Sequence, residues 1–455
     1  KESCGFFRNE IIAQTVVGNA EMNKSKLSNI FPNTTVAAYY DQVHQLINIS
    51  KYDFNDFKEV KLANITEDSA KKIALFEHEL THWIDHTSTL WGQKNLVLLF
   101  NAINSYANQN IDDFWRIKLL DNRFRQDIFY HYFSEKYNHI VGNEIDRWRY
   151  LISSGVRFTN DGKPNYEKPI LFVRFFSKDD LPISRVPISV ASILETNAIK
   201  AEYDIKWRAF HLEKDTATKI IHEKMLFKEI IGLIYHPDLT LYSVIAHLTA
   251  NMNNETDIVE TLHTTSAIGT FVLNFPSELY KDLKIPKIDD KVWEKRYKCF
   301  VTDKDIGATY YFLLKNLIDG NGQNSFTEEL LLSASNLPNK EKVTKIVLAE
   351  MENNRKKLIE GPFKQMAKRM LEQGIEMFKN RGVFGTKPNF REYVIKNRIY
   401  PPVIFGDTIL KTDGLNEKEI VTKLKNGEEI SVHEKYFIMD YYDKKINEFN
   451  EVCGV

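Results

Sequence analysis

The spacing of hydrophobic and polar positions indicates strands in the first part of the chain. Two short runs, 36–40 and 45–49, are rich in β-branched and aromatic residues, and a polar turn centred on Asp41 and Gln42 separates them. Short runs of this composition joined by turn residues are typical of antiparallel strands. The sequence therefore predicts a β-hairpin at 36–49.

From Thr66 onward the hydrophobic residues follow a helical spacing. The segment opens with this capping residue and two acidic residues, which stabilise a helix N-terminus. Apolar side chains then recur at intervals of three and four, at Ile73, Phe76, Leu80 and Trp83. This period predicts an amphipathic helix of about five turns over 66–87.

Most of the remaining chain has a helical pattern as well. Apolar periodicity predicts helices at 95–107 and 112–134, and a stretch punctuated by Gly, Pro and Asn at 153–169 predicts a loop or a short hairpin. Pro187 stands where a first-turn proline belongs, at the start of a further helix predicted over 187–207.

Past residue 270 the pattern is again mostly helical. Two prolines and dense charge in 273–290 interrupt the periodicity and predict a boundary between a domain at 1–270 and a mainly helical domain at 271–455. The expected fold class is therefore α+β and predominantly helical.

Composition and charge exclude several classes of protein. Of 455 residues, 43% are hydrophobic, which is ample for a large core, and 61 Lys and Arg against 62 Asp and Glu give a net charge of −1. A protein that mainly binds nucleic acid or anionic membrane would carry a basic excess. The segment 340–398 does hold 15 Lys and Arg against 7 Glu, but aromatic residues do not interleave with these charges. We interpret it as a solvated helical surface, so nucleic acid is not the expected partner.

Cysteine usage and hydropathy bear on location. Cys4, Cys299 and Cys453 cannot form a disulfide framework, which favours a reducing, cytoplasmic compartment. No apolar run reaches the 18 residues of a membrane span, so no membrane association is expected. The N-terminus lacks the apolar centre of a secretory signal, although the chain begins at Lys1 without Met and a removed leader stays open.

One short motif is typical of a metal-binding site. Residues 78–82 read His-Glu-Leu-Thr-His, an HExxH pentad in the middle of the 66–87 helix. Residues four apart are separated by about 40° around a helix, so the His78 and His82 imidazoles project from one face and can bind one zinc ion. Glu79 lies about 100° around from His78, where its carboxylate can reach a water held by the metal.

This pentad resembles the signature of the zincin superfamily of metallopeptidases, which is HExxH on an active-site helix beneath a small twisted sheet. The resemblance is specific around the pentad, weaker over 30–205 and absent beyond. It implies that 1–270 is a zincin-like catalytic domain, in which the 36–49 hairpin stands where zincins carry the edge strand that binds extended peptide substrate.

A catalytic zinc ion needs a third protein ligand. The metzincin branch would require His at position 88, where this chain has Ser88, whereas the gluzincin branch takes a Glu from a later helix, often followed by x-x-Ala. Glu195-Thr196-Asn197-Ala198 resembles that arrangement, so Glu195 is the first candidate and 187–207 the third-ligand helix, with Glu144 second and Glu202 third.

The resemblance to the gluzincin branch does not identify the residue that would hydrogen-bond to His78. The acid that thermolysin-like enzymes place four residues after the ligand is Ile199 here, so the hydrogen-bond partner of His78 is unassigned. We expect Asp85 or His86 either to support the ligands or to be a polar residue near the helix end. Tyr203, Tyr235, His236, His247 and His263 are all available to stabilise an oxyanion, and the sequence selects none of them.

These observations predict a zinc-dependent metallopeptidase that hydrolyses peptide bonds in a protein or peptide substrate. Zinc lowers the pKa of a bound water toward about 7, and Glu79 takes the proton as general base and then delivers it to the departing amine. A narrow-specificity intracellular protease is one form of this hypothesis. The alternative is a catalytically inactive zincin-scaffold interaction protein, against which the retention of Glu79 beside both histidines counts; nucleic-acid binding through 340–398 is a third hypothesis.

Overall fold

A computed structural model describes residues 37–58, 66–128, 134–159, 161–211, 215–253, 257–287, 290–321 and 326–453. Within these residues the protein is predominantly helical with two small sheets, so the predicted α+β class is confirmed. The helices are α1 (Phe54–Lys58), α2 (Glu67–Ser88), α3 (Leu90–Ala107), α4 (Trp115–Ile128), α5 (Val190–His211), α6 (Thr216–Ile234), α7 (Thr240–Asn253), α8 (Ile258–Leu273), α9 (Lys291–Asp303), α10 (Ile306–Asn321), α11 (Glu328–Ala334), α12 (Lys340–Arg355), α13 (Lys364–Arg381), α14 (Phe390–Lys396), α15 (Glu417–Lys425) and α16 (Val432–Val452).

The strands form a three-stranded and a four-stranded sheet. The strands are β1 (Tyr39–Asp41), β2 (Leu46–Ile49), β3 (Glu135–Lys136), β4 (Arg149–Phe158), β5 (Pro164–Phe176), β6 (Pro182–Pro187) and β7 (Val403–Phe405). In the first sheet β2 lies between antiparallel β1 and parallel β7, and in the second the order is β3-β6-β5-β4, all antiparallel.

The hairpin predicted at 36–49 is confirmed over the described residues. β1 and β2 pair with Tyr40 opposite Ile47, and the residues from Asp41, which ends β1, to Gln45 are buried. The Asp41 carboxylate accepts the backbone N–H groups of Val43 and His44, which stabilises the turn. Position 36 itself lies outside the described residues.

The helix predicted at 66–87 is also confirmed, and its N-terminus begins as the sequence indicates. Thr66 is the N-cap: its hydroxyl accepts the Ser69 N–H, and the Ser69 hydroxyl accepts the Thr66 N–H. This reciprocal pair satisfies two backbone groups that the first turn would otherwise leave unpaired. The buried face of α2 extends to Ser88, so the helix ends in the protein interior rather than at the surface.

The predicted position of Pro187 was wrong. It is the last residue of β6, where it lies opposite Phe172, and it does not belong to the following helix. Because the Ile188 N–H donates to Leu171 O (2.9 Å), the nitrogen of Pro187 points away from β5 and its missing N–H interrupts no bond between these strands. Helix α5 begins at Val190, after a reciprocal cap between Ser189 and Ser192.

The four-stranded sheet is larger than the sequence indicated. Where a loop or a short hairpin was predicted at 153–169, the structure has the long pair β4 and β5, with a bulge between Val156 and Arg157. The predicted helix at 112–134 corresponds to a short 3-10 turn at Ile111–Asp113 followed by α4. Residues 129–133 lie outside the described range, and Ser134 is not helical.

Side chains from both ends of the chain share one large hydrophobic core. This core contains Val43 and Trp91 as well as Phe378 and Tyr442, and a smaller core beside it joins α2 and the first sheet to α13 and α14. The division into domains at 1–270 and 271–455 stays a prediction. Among the described residues, no helix combines the length and apolar character that a membrane span requires.

A close contact fixes α13 against the C-terminal end of α2. A Cβ built at Gly374 would lie 2.1 Å from Thr87 O, so only glycine permits this approach of the two helices. The Gln93 side-chain amide lies in the same contact and donates to the carbonyl oxygens of Thr87 (3.3 Å) and Leu371 (3.2 Å). The helix that carries the HExxH pentad is therefore held from the side of the C-terminal half of the chain.

Candidate metal centre

The structure brings three of the predicted site residues together. His78 and His82 lie one turn apart on α2, and Glu195 reaches them from α5. The Glu195 Oε2 atom is 3.3 Å from His78 Nε2 and 3.7 Å from His82 Nε2, and one ligand atom from each residue lies within 4.8 Å of the other two. Ligand atoms about 2.0–2.2 Å from a tetrahedral zinc ion lie roughly 3.3–3.5 Å apart, so the set needs little adjustment to hold one.

The burial of the Glu195 carboxylate favours a cation between it and the two histidines. Glu195 is 1% exposed, and its Oε2 makes no hydrogen bond of acceptable geometry although two imidazoles lie beside it. Burial raises the pKa of Glu195 in the structure as it stands. A buried carboxylate oxygen without a hydrogen bond is costly, and a divalent ion between Glu195 and the two imidazoles would stabilise it.

Glu79 is held beside this cluster by the backbone of the first sheet. The Tyr40 N–H donates to Glu79 Oε2 at 2.8 Å. Because the Ile47 N–H opposite Tyr40 bonds to Pro402 O on the far side of β2, Tyr40 lies in a non-hydrogen-bonded pair and presents its N–H at the outer edge of β1. Burial raises the pKa of Glu79 to about 7, against the charge of His78, which lowers it.

Glu202 provides the partner of His78 that the sequence left open. His78 Nδ1 is 3.4 Å from Glu202 Oε2, on the opposite side of the ring from Glu195. Glu195 and Glu202 are seven residues apart on α5, which brings them onto one face two turns apart. Sequence reasoning looked four residues after the ligand, at Ile199, and ranked Glu202 only as a third possible ligand. The seven-residue spacing was the available signal.

A buried lysine in turn holds Glu202. The Lys206 Nζ donates to Glu202 Oε1 at 2.7 Å and to Glu229 Oε1 on α6 at 2.6 Å, although Lys206 is only 5% exposed. Burial would raise the pKa of Glu202, but the charge of Lys206 and the contacts with His78 hold it well below its usual value. These contacts form a continuous path from His78 through Glu202 and Lys206 to Glu229.

The two imidazoles have opposite electrostatic surroundings. Burial lowers the pKa of His78, but the close carboxylates of Glu195 and Glu202 outweigh it, so the pKa is raised well above its usual value. The pKa of His82 is lowered well below its usual value by burial, with further contributions from the charges of His78 and His86. A proton on His78 balances the neighbouring carboxylates, and a metal ion would have to displace this proton.

Asp85 and His86 are buried rather than near an exposed helix end. Asp85 accepts a hydrogen bond from Asn197 Nδ2 on α5 (3.0 Å) and pairs with Arg381 Nη2 on α13 (2.6 Å), so it joins three helices behind the cluster. His86 packs against the rings of Tyr40 and Trp91, and burial lowers its pKa to about 3.

Several other candidates are not part of the cluster. Glu144, the second candidate ligand, is exposed, and its backbone oxygen accepts a bond from Arg147. His247 stacks on Trp148 and bonds to Ile234 O, as a histidine of the core does, and His263 is exposed.

Sequence reasoning did not single out Tyr242, on the first turn of α7. Its pKa is raised well above the usual value by burial and by the negative charges of Glu195 and Glu79. The Tyr242 carbonyl oxygen also accepts a bond from the Thr196 hydroxyl, next to Glu195 on α5 (3.2 Å). No sequence signal marks this tyrosine, because only the packing of α7 on α5 brings it near.

Comparison with protein-family models, curated proteins and solved structures finds no match for this chain. The functional interpretation therefore depends on the geometry and chemistry of the cluster itself. One residue beside the cluster, Lys206, should affect zinc affinity without being a ligand.

Replacing Lys206 with methionine is expected to weaken zinc binding by about 10-fold to 100-fold, the usual effect of losing a residue that orients a ligand. Methionine keeps the apolar stem but removes the ammonium that bridges Glu202 and Glu229, so Glu202 is no longer fixed toward His78. Competition with a chelator measures the affinity. Lys200→Met is the matched control, since Lys200 lies on the same helix and donates to Asp204, which is not part of the path to His78; equal effects in both variants would contradict this role for Lys206.

Proposed function

We propose that this protein is a zinc-dependent metallopeptidase with a zincin-like catalytic arrangement. The observation that carries the proposal is the convergence of the His78, His82 and Glu195 ligand atoms within 4.8 Å, with the Glu79 carboxylate buried beside them. His78, His82 and Glu195 would hold the ion as a three-ligand set, which leaves a position for water or substrate.

Bound zinc would lower the pKa of a water molecule and polarise a substrate carbonyl. The protein's own residues account for the proton transfers. Glu79 is fixed by the Tyr40 N–H through one carboxylate oxygen, which leaves the other to take a proton from water and deliver it to the leaving amine. Tyr242 is the proposed donor to a substrate oxygen, since α7, which carries it, packs on α5 next to Glu195.

Glu202 and Lys206 position the first histidine in this proposal. An ionised Glu202 accepts the Nδ1–H of His78, so the lone pair of His78 Nε2 is directed at the ion. The preferred substrate is a protein or peptide, the class that the resemblance of the HExxH pentad to metallopeptidases implies. The Tyr40 N–H at the outer edge of β1 is bound to Glu79 and holds that carboxylate beside the cluster. A narrow-specificity protease in the cytoplasm is the form of this proposal that the sequence suggested.

The nucleic-acid alternative has little support from the segment 340–398. Many of its basic side chains already pair with acidic ones in the described structure, which reduces their availability to phosphates. The pairs are Lys340–Glu328, Arg355–Glu372, Lys364–Glu360, Lys379–Glu376, Arg381–Asp85 and Arg391–Glu77. The inactive-scaffold alternative predicts the same zinc site but no peptide hydrolysis, so activity assays of the wild type and of Glu79→Gln test it.

Zinc content of purified variants tests the metal site. We expect His78→Ala and Glu195→Gln each to bind one zinc ion fewer per chain than the wild type, because each removes one of three ligands. Glu202→Gln should retain the ion with lower affinity, since Glu202 contacts His78 and not the cluster centre. Elemental analysis after dialysis against micromolar free zinc measures this.

Glu144→Gln is the control for these variants, because Glu144 is an exposed glutamate outside the cluster. Its zinc content should equal that of the wild type. An unchanged zinc content in both His78→Ala and Glu195→Gln would refute the proposed site, and loss of the ion in Glu202→Gln but not in Glu195→Gln would make Glu202 the third ligand.

A further inference from the structure

A second group of metal-ligating side chains lies outside the proposed catalytic site. His139 belongs to the connection between β3 and β4, and His236 and Asp238 belong to the turn between α6 and α7. One ligand atom from each lies within 4.8 Å of the other two. The two imidazole rings stand nearly perpendicular, with centroids 5.5 Å apart, so they do not stack on one another.

The distances in this group resemble those of the HExxH cluster. Asp238 Oδ2 is 3.5 Å from His139 Nδ1 and 3.9 Å from His236 Nδ1, compared with 3.3 Å and 3.7 Å between Glu195 and its two histidines. Two imidazoles and one carboxylate are ligands that zinc prefers. We propose that His139, His236 and Asp238 form a second zinc site.

The two oxygens of Asp238 have separate partners. Oδ1 accepts a hydrogen bond from Lys136 Nζ at 2.5 Å, and Oδ2 faces the histidines. Lys136 therefore fixes the carboxylate from the side away from the rings, as a hydrogen bond to a ligating carboxylate does in metal sites. His236 Nδ1 also accepts the Asp238 N–H at a long 3.3 Å, a weak bond that coordination at this nitrogen would replace.

Burial distinguishes this site from the catalytic one. His236 is 5% exposed, whereas the His139 side chain is about half exposed and that of Asp238 is 29% exposed. An ion here would reach solvent, complete its coordination with water and exchange with the medium more readily than an ion at His78. The site is thus more open than the closed four-ligand sites typical of structural zinc, and the role we assign it is to hold together the two segments that supply its ligands.

The site joins two segments that are distant in sequence. Backbone bonding between Gly142 N–H and Tyr235 O (3.1 Å) already connects the β3–β4 segment to the end of α6. The turn continues directly into α7, which begins at Thr240 and carries Tyr242 one turn after Asp238. Zinc at His139, His236 and Asp238 would therefore stabilise the start of α7, which packs on α5 next to Glu195 through the bond from the Thr196 hydroxyl to Tyr242 O.

Zinc stoichiometry tests this proposal without reference to peptidase activity. After dialysis against micromolar free zinc, we expect two ions per chain in the wild type, one in His139→Ala, one in Asp238→Asn and one in His78→Ala. The double variant His78→Ala, His139→Ala should bind none. Asp238→Asn preserves side-chain volume, and the exposed position of His139 makes its substitution compatible with folding.

His263→Ala is the matched control, because it removes another exposed histidine, on α8. It should bind two ions. A single ion in the wild type that is lost in His78→Ala and kept in both His139→Ala and Asp238→Asn would overturn the second site. A single ion lost in those two variants and kept in His78→Ala would support the second site and refute the proposed catalytic one, so the two proposals fail separately. The structural role predicts, in addition, that zinc raises the melting temperature of His78→Ala but not of the double variant.

Discussion

Glu79→Gln is expected to reduce kcat by about 10²-fold to 10⁴-fold while leaving the zinc content unchanged, because it removes a general base without removing a ligand. Glutamine has the size of glutamate, and its amide oxygen can still accept the Tyr40 N–H that now bonds to Glu79 Oε2. The fold and the ligand cluster should therefore persist. Peptide hydrolysis at saturating substrate, together with elemental analysis of the same sample, measures both effects.

Glu77→Gln is the matched control for this loss. Glu77 is a buried glutamate two residues earlier on α2, but it pairs with Arg391 (3.2 Å) and takes no part in the cluster. It should keep most of the wild-type kcat. Hydrolysis by Glu79→Gln at the wild-type rate, with zinc bound, would contradict the role of Glu79 as general base. A wild-type protein that binds zinc but hydrolyses no peptide would favour the inactive-scaffold alternative.

The pH dependence of hydrolysis follows from the state of Glu79. A general base must be ionised, so the rate should rise with pH as Glu79 loses its proton. Burial raises the pKa of Glu79 to about 7 in the absence of a cation, and a positive ion beside it would lower that pKa. The rising limb of the wild-type profile is therefore expected at or below pH 7, and it should be absent in Glu79→Gln.

The helical half of the site could be predicted from the sequence because its determinants are local. The cap at Thr66, the apolar period and the pentad lie within one segment, and helical geometry alone brings His78 and His82 together. Glu195 could be predicted as a ligand because Ala198 follows it in a Glu-x-x-Ala arrangement. Glu202 was underrated because a spacing of four residues was sought, whereas the two carboxylates lie seven apart on α5.

Other features depend on tertiary packing that no local pattern encodes. The bond from Tyr40 to Glu79 joins a strand to a helix 39 residues later, and Tyr242 approaches the cluster only because α7 packs on α5. Pro187 was assigned to a helix because a proline at the end of a strand and one at the start of a helix look alike in sequence. The partner of Asp85 lies almost 300 residues away, at Arg381.

This last pair makes the C-terminal half part of the support for the site. Asp85 is fully buried on α2, and Arg381 is 6% exposed at the end of α13. Their charged atoms are 2.6 Å apart, and the Arg381 guanidinium also donates to the hydroxyls of Ser88 (3.2 Å) and Thr270 (3.3 Å). Asp85 in turn accepts a bond from Asn197, two residues after the candidate ligand Glu195.

Arg381→Met is therefore expected to lower the free energy of unfolding by about 3–5 kcal/mol, because it leaves the Asp85 carboxylate buried without its counter-charge. Urea denaturation measures this loss. Asp85→Asn in the Arg381→Met background should recover part of it, since the uncompensated charge is then removed. If the ion pair positions Asn197 and α5, zinc affinity should fall in the single variant and rise again in the double one.

Arg355→Met is the control for the ion-pair argument. Arg355 on α12 pairs with Glu372 on α13, but both side chains are partly exposed, so the loss should be only about 0–1 kcal/mol. A loss of that size in Arg381→Met as well would mean that water reaches Asp85 once the arginine is gone. The pair would then contribute little to holding α2 against α5, and the close packing at Gly374 and the bond from Tyr40 would be left as the contacts that position the pentad.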